Sequence, residues 1–92
     1  MIHFLVHNKA DTVGVATVDI RPGQKVRGRY LDTQEELEVK AVSEIPLGHK
    51  IALKDHPAGG SVIKYGHDIG RVVQPIRAGE HVHIHNLKTK RW

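Results

Sequence analysis

The stretch that decides the fold is VDIRPGQKV at residues 18–26, because two further stretches repeat its pattern. They read KDHPAGGSV at residues 54–62 and QPIRAGEHV at residues 74–82. In each stretch a Pro or Ala precedes a Gly, and a Val follows three residues after that Gly. A Gly that takes the left-handed conformation at a tight turn, and leads into a new strand, accounts for this pattern.

Three such corners predict a small all-β domain whose strands fold back sharply; chance similarity of short turn motifs is the alternative. The spacing of the three glycines is unequal, which excludes a solenoid of fixed period. Elsewhere Leu37, Val39 and Ala41 alternate with charged residues, as in a half-buried strand. Short strands are also predicted at residues 2–6, 12–18, 26–31, 50–54, 61–65, 71–74 and 81–86. Residues 32–36 fit one helical turn or a polar hairpin loop, and Gly14 indicates a bulge or a close backbone approach.

Composition restricts the chemistry that this chain can supply. Its 92 residues fit one small domain, and the net charge of +4 favours an anionic ligand only mildly. The absence of cysteine excludes a disulfide, a zinc knuckle and a cysteine-held iron–sulfur cluster. No secretory leader or long apolar run is recognisable, so we expect a cytoplasmic protein. The eight histidines are the main compositional oddity.

Three of these histidines, His81, His83 and His85, alternate with Val82 and Ile84. In an extended strand the imidazoles share one face and the aliphatic side chains share the other. Two imidazoles at this spacing can converge on one ion by side-chain rotation. Three converge less easily, and His81 is the one that we set aside. The alternatives are an exposed polar face and imidazoles bonded to backbone carbonyls.

Two other places combine side chains that can bind an anion or move a proton. His49 and Lys50 follow a predicted turn, where the lysine can orient an acidic group or keep the imidazole neutral. Lys64 and Tyr65 offer an ammonium and a phenol. The alternatives are that these side chains fill a corner, pack in the core or lie in solvent. Asn86 either ends the strand or binds substrate. The sequence gives no reason to assign chemistry to the histidines at positions 3, 7, 56 and 67.

Four motifs resemble one protein family: IPLGHK at 45–50, VIKYG at 62–66, IGR at 69–71 and GEHVHIHN at 79–86. They are similar to the small SAF-type domain of the altronate dehydratase family, which includes galactarate dehydratases and sulfolactate sulfo-lyase. The resemblance covers nearly the whole chain. It implies a β-clip, a compact folded-over ribbon of short strands. We therefore expect residues 1–92 to form a single SAF domain with a short basic tail at 87–92.

The resemblance also implies an activity. It predicts a small subunit that needs a large catalytic (beta) subunit, binds a small anionic substrate with Fe(2+), and contacts neither nucleic acid nor membrane. The chain's C-terminal residues are most similar to the sulfolactate branch, which eliminates sulfite from 3-sulfolactate to give pyruvate. A small subunit of altronate dehydratase is the alternative, and a non-catalytic SAF-type binding or assembly module is a further one. The predicted catalytic residues are His49, His83 and His85, the metal ligands His83 and His85, and the substrate-binding residues Lys50, Lys64, Tyr65 and Asn86.

Overall fold

The computed structural model describes residues 1–64, 67–83 and 87–88. These ranges form short β-strands only, which confirms the all-β prediction. They contain no helix, and hence none that is long and apolar enough to cross a membrane. The strands are β1 Phe4–Val6, β2 Val13–Ala16, β3 Lys25–Tyr30, β4 Glu36–Lys40, β5 Lys50–Ala52, β6 Ser61–Lys64, β7 His67–Val72, β8 His81–Val82 and β9 Leu87–Lys88.

The strands form two sheets. The larger sheet has the order β4-β3-β1-β2-β5-β8, in which β1 and β3 are parallel and the other neighbours antiparallel. The smaller sheet has the order β6-β7-β9. Residues paired across neighbouring strands share a face, so Phe4 and Ala16 lie on one face of the larger sheet and Val13 and Ala52 on the other.

A separate apolar cluster covers each of these two faces. The first contains Phe4, Val6, Ala16, Ile20, Val26, Ala41, Ile45 and Ile51. The second joins the larger sheet to the smaller one and contains Val13, Ala52, Val62, Val72, Ile76 and Val82. Gly14 passes so close to the first cluster that a Cβ there would lie 2.8 Å from the Phe4 ring, which confirms the expected close approach.

In the described part of the chain, four corners that lead into a new strand each have a glycine in the left-handed region. Gly23, Gly59 and Gly79 have φ values of 82°, 86° and 87°, as their shared pattern predicts. The sequence interpretation did not group Gly48, with φ 86°, with these three. Its corner, residues 43–49, lacks the following Val but has the same left-handed glycine.

The corners associate in pairs, and the second pair repeats the first. Ile20 and Ile45 exchange two backbone hydrogen bonds of 2.9 and 3.0 Å, and His56 and Ile76 exchange two of 2.7 and 2.8 Å. Each pair is also held by an aspartate, since the Leu47 amide donates to Asp19 Oδ1 and the Ala78 amide donates to Asp55 Oδ1. Each pair of corners flanks a hairpin, β3–β4 or β6–β7, and leads into a strand, β5 or β8. Residues 54–82 are therefore a structural repeat of residues 18–51.

Several element boundaries differ from the prediction because strand pairing sets them. β7 begins at His67 rather than at residue 71, because residues 67–71 pair with β6 across a bulge. β8 contains only two residues of the predicted strand 81–86. His83 forms a bend after it, and residues 84–86 lie outside the described residues. Residues 32–36 form a hairpin loop in which Gln34 has φ 65°. The predicted tail begins with β9, which pairs with β7.

Candidate metal centre

Two of the corners place histidines at or next to the neighbouring strands β5 and β8: His49 directly precedes β5, His81 begins β8 and His83 directly follows β8. The pairs Lys50 with Val82 and Ile51 with His81 fix the register. Because Ile51 pairs with His81, these two side chains share a face of the sheet. The His49 and His83 rings lie beside the His81 ring.

The main chain around these histidines is held on both sides. The Ala16 amide donates to the His49 carbonyl oxygen at 2.8 Å. The His81 amide donates to Ser43 Oγ, also at 2.8 Å. The cluster therefore lies on a backbone that β2 and the 43–49 corner fix in place.

The three rings are in mutual contact. Their centroids are 5.0 Å apart for His49 and His81, 4.9 Å for His49 and His83, and 5.4 Å for His81 and His83. His49 Nδ1 lies 2.9 Å from His81 Nε2, which is a hydrogen-bond distance. Without a metal ion this contact is a hydrogen bond, in which the tautomers of the two rings decide which nitrogen donates. His49 and His81 are half-buried and His83 is exposed.

The geometry fits a metal ion. Each histidine offers one ring nitrogen, and these nitrogens lie within 4.8 Å of one another. Two nitrogens bound at about 2.1 Å are about 3 Å apart when their bonds are perpendicular and about 4.2 Å apart when they are opposed. The 2.9 Å contact between His49 Nδ1 and His81 Nε2 matches the first distance. Neutral imidazoles suit zinc, copper, iron and nickel. Among the described residues no carboxylate belongs to this group.

Two of the predicted site residues, His49 and His83, lie together in this cluster. The third member is His81, which the sequence interpretation set aside. The prediction from sequence concerned three histidines along one segment. In the structure the third ring is His49, which comes from beside the neighbouring strand β5. A usable signal was present, since His49 and His81 each follow a corner glycine within two residues.

The other predicted residues are not part of the cluster that the structure describes. Lys50 pairs with Val15 and Val82, and therefore shares their face of the sheet, opposite to that of His81. Lys64 is the last residue of β6. Tyr65, His85 and Asn86 lie outside the described residues, so their assigned roles stay predictions.

Comparison with known proteins shows which family this chain belongs to. Residues 2–90 match the family model for the altronate/galactarate dehydratase SAF domain. The chain is 50% identical over 92 residues to the protein named (2R)-sulfolactate sulfo-lyase subunit alpha of Chromohalobacter salexigens, covering 99% of this chain and 98% of that one. The subunit of the same name from Paracoccus pantotrophus is 53% identical over 57 residues, which are 62% of this chain and 85% of the relative.

A longer relative shares the same region. The altronate dehydratase of Bacillus subtilis is 39% identical over 89 residues, which cover 97% of this chain and 17% of that protein. The matched segment is thus a small part of a large enzyme in one relative and nearly the whole of a subunit in another. The family match and the end-to-end identity agree, and the chain belongs to the altronate/galactarate dehydratase SAF domain family.

Proposed function

We propose that this chain is the small subunit of a lyase that eliminates sulfite from 3-sulfolactate and yields pyruvate. The observation that carries the proposal is the 50% identity, over nearly the full length of both chains, to a protein named as the alpha subunit of such an enzyme. The name of that relative implies a partner subunit, which is the large catalytic subunit in this proposal.

The three-histidine cluster is the part of the active site that this chain would contribute. His49, His81 and His83 would hold Fe(2+), with further ligands from the large subunit, because no carboxylate joins the three among the described residues. When bound, the ion would supply a Lewis acid for the carboxylate and hydroxyl oxygens of the substrate. His85, the other predicted ligand, stays a prediction at this site.

The reaction needs more groups than the described residues bring together. A base takes the proton from the carbon that bears the hydroxyl, the carbon–sulfur bond breaks, and sulfite leaves with the electron pair. The resulting enol becomes pyruvate by tautomerisation. In the cluster, His83 is exposed and would be the histidine most open to substrate, whereas His49 and His81 are half-buried and linked by the 2.9 Å contact. We assign the proton-abstracting base to the large subunit.

The exposure of the cluster also predicts that the small subunit is inactive alone. One of its three rings is exposed, and the domain measures only 37 × 27 × 19 Å. Elimination chemistry benefits from a site that excludes water, and a second chain placed over the cluster would provide it. A cytoplasmic location stays a prediction from the sequence.

A second substrate is supported by a specific observation. The altronate dehydratases of Bacillus subtilis and Escherichia coli are 39% and 42% identical to this chain in the matched regions. The small subunit of an altronate dehydratase is therefore the rival proposal, with water as the leaving group in place of sulfite.

Reconstitution with the large subunit tests these proposals. The purified pair, supplied with ferrous iron under anaerobic conditions, is assayed for sulfite release from sulfolactate and for keto-acid formation from altronate. Sulfite release supports the first proposal, and keto acid from altronate without activity on sulfolactate supports the second. Neither product from a pair that binds iron would overturn both and favour a non-catalytic module.

A variant tests the role of the cluster in the same assay. His83→Ala should abolish turnover while the two subunits still co-elute, because the exposed ring has no part in the core. His7→Gln changes another exposed histidine, outside the cluster, and should leave turnover unchanged. Full activity in His83→Ala would contradict the assigned role.

A further inference from the structure

His56 is a buried histidine outside the metal centre. Its side chain is in the interior, with a residue exposure of 3%. Neither ring nitrogen forms a hydrogen bond of good geometry with a described residue, although the main chain of Lys54 lies near the ring. By contrast, the ring of His3 accepts a hydrogen bond from the Arg27 amide through Nδ1. Burying a polar ring without partners is costly, so a feature of the fold must compensate for it.

The internal repeat shows what the position requires. His56 occupies in the second corner pair the place that Ile20 has in the first, because each exchanges two backbone hydrogen bonds with an isoleucine. The three equivalent positions are Ile20, Ile45 and Ile76, all at most 1% exposed. An aliphatic side chain therefore occupies the other three equivalent positions that the structure describes. The histidine ring nitrogens form no hydrogen bond of good geometry with the described residues, but they add a group that can take up a proton.

The surroundings favour the neutral ring. Burial lowers the pKa of His56 below its ordinary value, and the positive charge of Lys54 lowers it further. The main chain of Lys54 and the carboxylate of Asp55 act in the opposite direction without cancelling the effect. The facing corner carries Arg77 and Glu80, and Glu80 Oε1 accepts a hydrogen bond from the Arg77 amide. Ile76, the hydrogen-bonding partner of His56 in the facing corner, belongs to the second apolar cluster.

We propose that His56 is an acid-sensitive latch: the neutral ring lets the 54–60 and 74–80 corners close on each other, and a proton on the ring separates them. This inference concerns the fold and depends neither on iron nor on the identity of the substrate.

The latch is connected to the metal centre through the second of these corners. Gly79, in the 74–80 corner, donates its amide to the Ala52 carbonyl oxygen at 2.8 Å and accepts from the Val42 amide at 3.0 Å. Two residues later His81 enters the histidine cluster. Opening of the corner pair would release the anchor of β8, so acid would loosen the histidine cluster before it unfolds the first corner pair.

The direction of the pH effect follows from the two states of the chain. In the unfolded chain the imidazole takes up a proton below about pH 6.5, its ordinary pKa, whereas the folded protein resists protonation. The unfolded state then binds more protons, so stability is lost as the pH falls from that value toward the lower folded pKa. For one such group, the folding equilibrium constant falls by up to about tenfold between roughly pH 7.5 and 5.5.

Urea unfolding of the full chain between about pH 5 and 8 tests the proposal, with wild type compared to His56→Ile. Isoleucine is chosen because the equivalent corners already accept it. The folding equilibrium constant of His56→Ile divided by that of wild type should be constant above about pH 7. This ratio should rise by up to about tenfold as the pH falls to about 5.5. His56→Gln, which is polar but does not titrate, should show the same loss of pH dependence even if it is less stable. His7→Gln should retain the dependence of wild type.

Hydrogen exchange locates the effect. Wild type and the reference variant His56→Ile are compared at about pH 5.5. In wild type, the amides of residues 56 and 76 should be less protected than in the variant, whereas those of Ile20 and Ile45 should be equally protected in both. A pH-independent ratio between wild type and His56→Ile would overturn the proposal. Equal loss of protection in both corner pairs would overturn the local latch, since it would show global unfolding instead.

Discussion

Replacing Gly79 with alanine should destabilise this protein much more than the same change at Gly48. The two glycines have nearly equal φ values, 87° and 86°, so alanine meets the same left-handed strain at both positions. That strain costs roughly 1–2 kcal/mol. The surroundings differ. A Cβ at Gly48 would have no atom within 4 Å, whereas a Cβ at Gly79 would coincide with the Lys40 carbonyl oxygen and lie 3.2 Å from Ala41 Cα.

The difference between the two variants therefore isolates the clash. Overpacking against rigid atoms typically adds about 1–3 kcal/mol, which gives roughly 2–5 kcal/mol in total for Gly79→Ala. A 92-residue domain has a free energy of unfolding near the lower end of about 5–15 kcal/mol, so this variant approaches the limit of stability.

Urea unfolding followed by circular dichroism measures both variants under the same conditions. With a denaturant slope of about 1–3 kcal/mol/M, the midpoint of Gly79→Ala should lie on the order of 1 M below that of Gly48→Ala. Equal midpoints would refute the reasoning, because they would show that the 74–80 corner can move away from β4 at no cost. The histidine cluster would then not be anchored by this corner.

Three further changes have defined outcomes. Gly28→Ala would drive a Cβ into the Phe4 ring and should lower the free energy of unfolding by about 1–3 kcal/mol. Thermal unfolding measures this, and an unchanged melting temperature would show that the ring can move aside. Asp55→Ala removes the acceptor of a main-chain hydrogen bond from the facing corner and should cost about 1 kcal/mol in urea unfolding. Lys9→Gln breaks the 2.6 Å ion pair with Glu35, but both side chains are more than half exposed, so the urea midpoint should stay within error of wild type; a clear shift would show that this pair stabilises the fold.

The corners were predictable from the sequence because their cause is local. A glycine in the left-handed region after Pro or Ala is a property of a few neighbouring residues, and Gly23, Gly59 and Gly79 all behave as their pattern indicates. The relation between the corners was not predictable in the same way. The β3–β4 and β6–β7 hairpins differ in length, so the repeat lacks a constant period. It becomes visible only in the matched hydrogen bonds of Ile20 with Ile45 and of His56 with Ile76.

The candidate site shows the same division between local and long-range causes. The alternation of histidines at residues 81–85 correctly indicated that His83 lies on one face with His81. The third ring comes from His49, thirty-two positions before His81 in the chain, through the pairing of β5 with β8. Strand pairing also separates Lys50 from the cluster by placing it on the opposite face of the sheet. The spacing of residues within one segment cannot predict which strands pair or in what register.

The central claim is that the histidine cluster forms part of a metal site shared with a larger subunit. X-ray absorption at the iron edge, recorded on the reconstituted pair of subunits, tests this claim most directly. We expect imidazole scattering around the iron in the wild-type pair, and a clear reduction of that scattering in a pair that contains the His83→Ala small subunit. Identical spectra for the two pairs, at equal iron content, would contradict it.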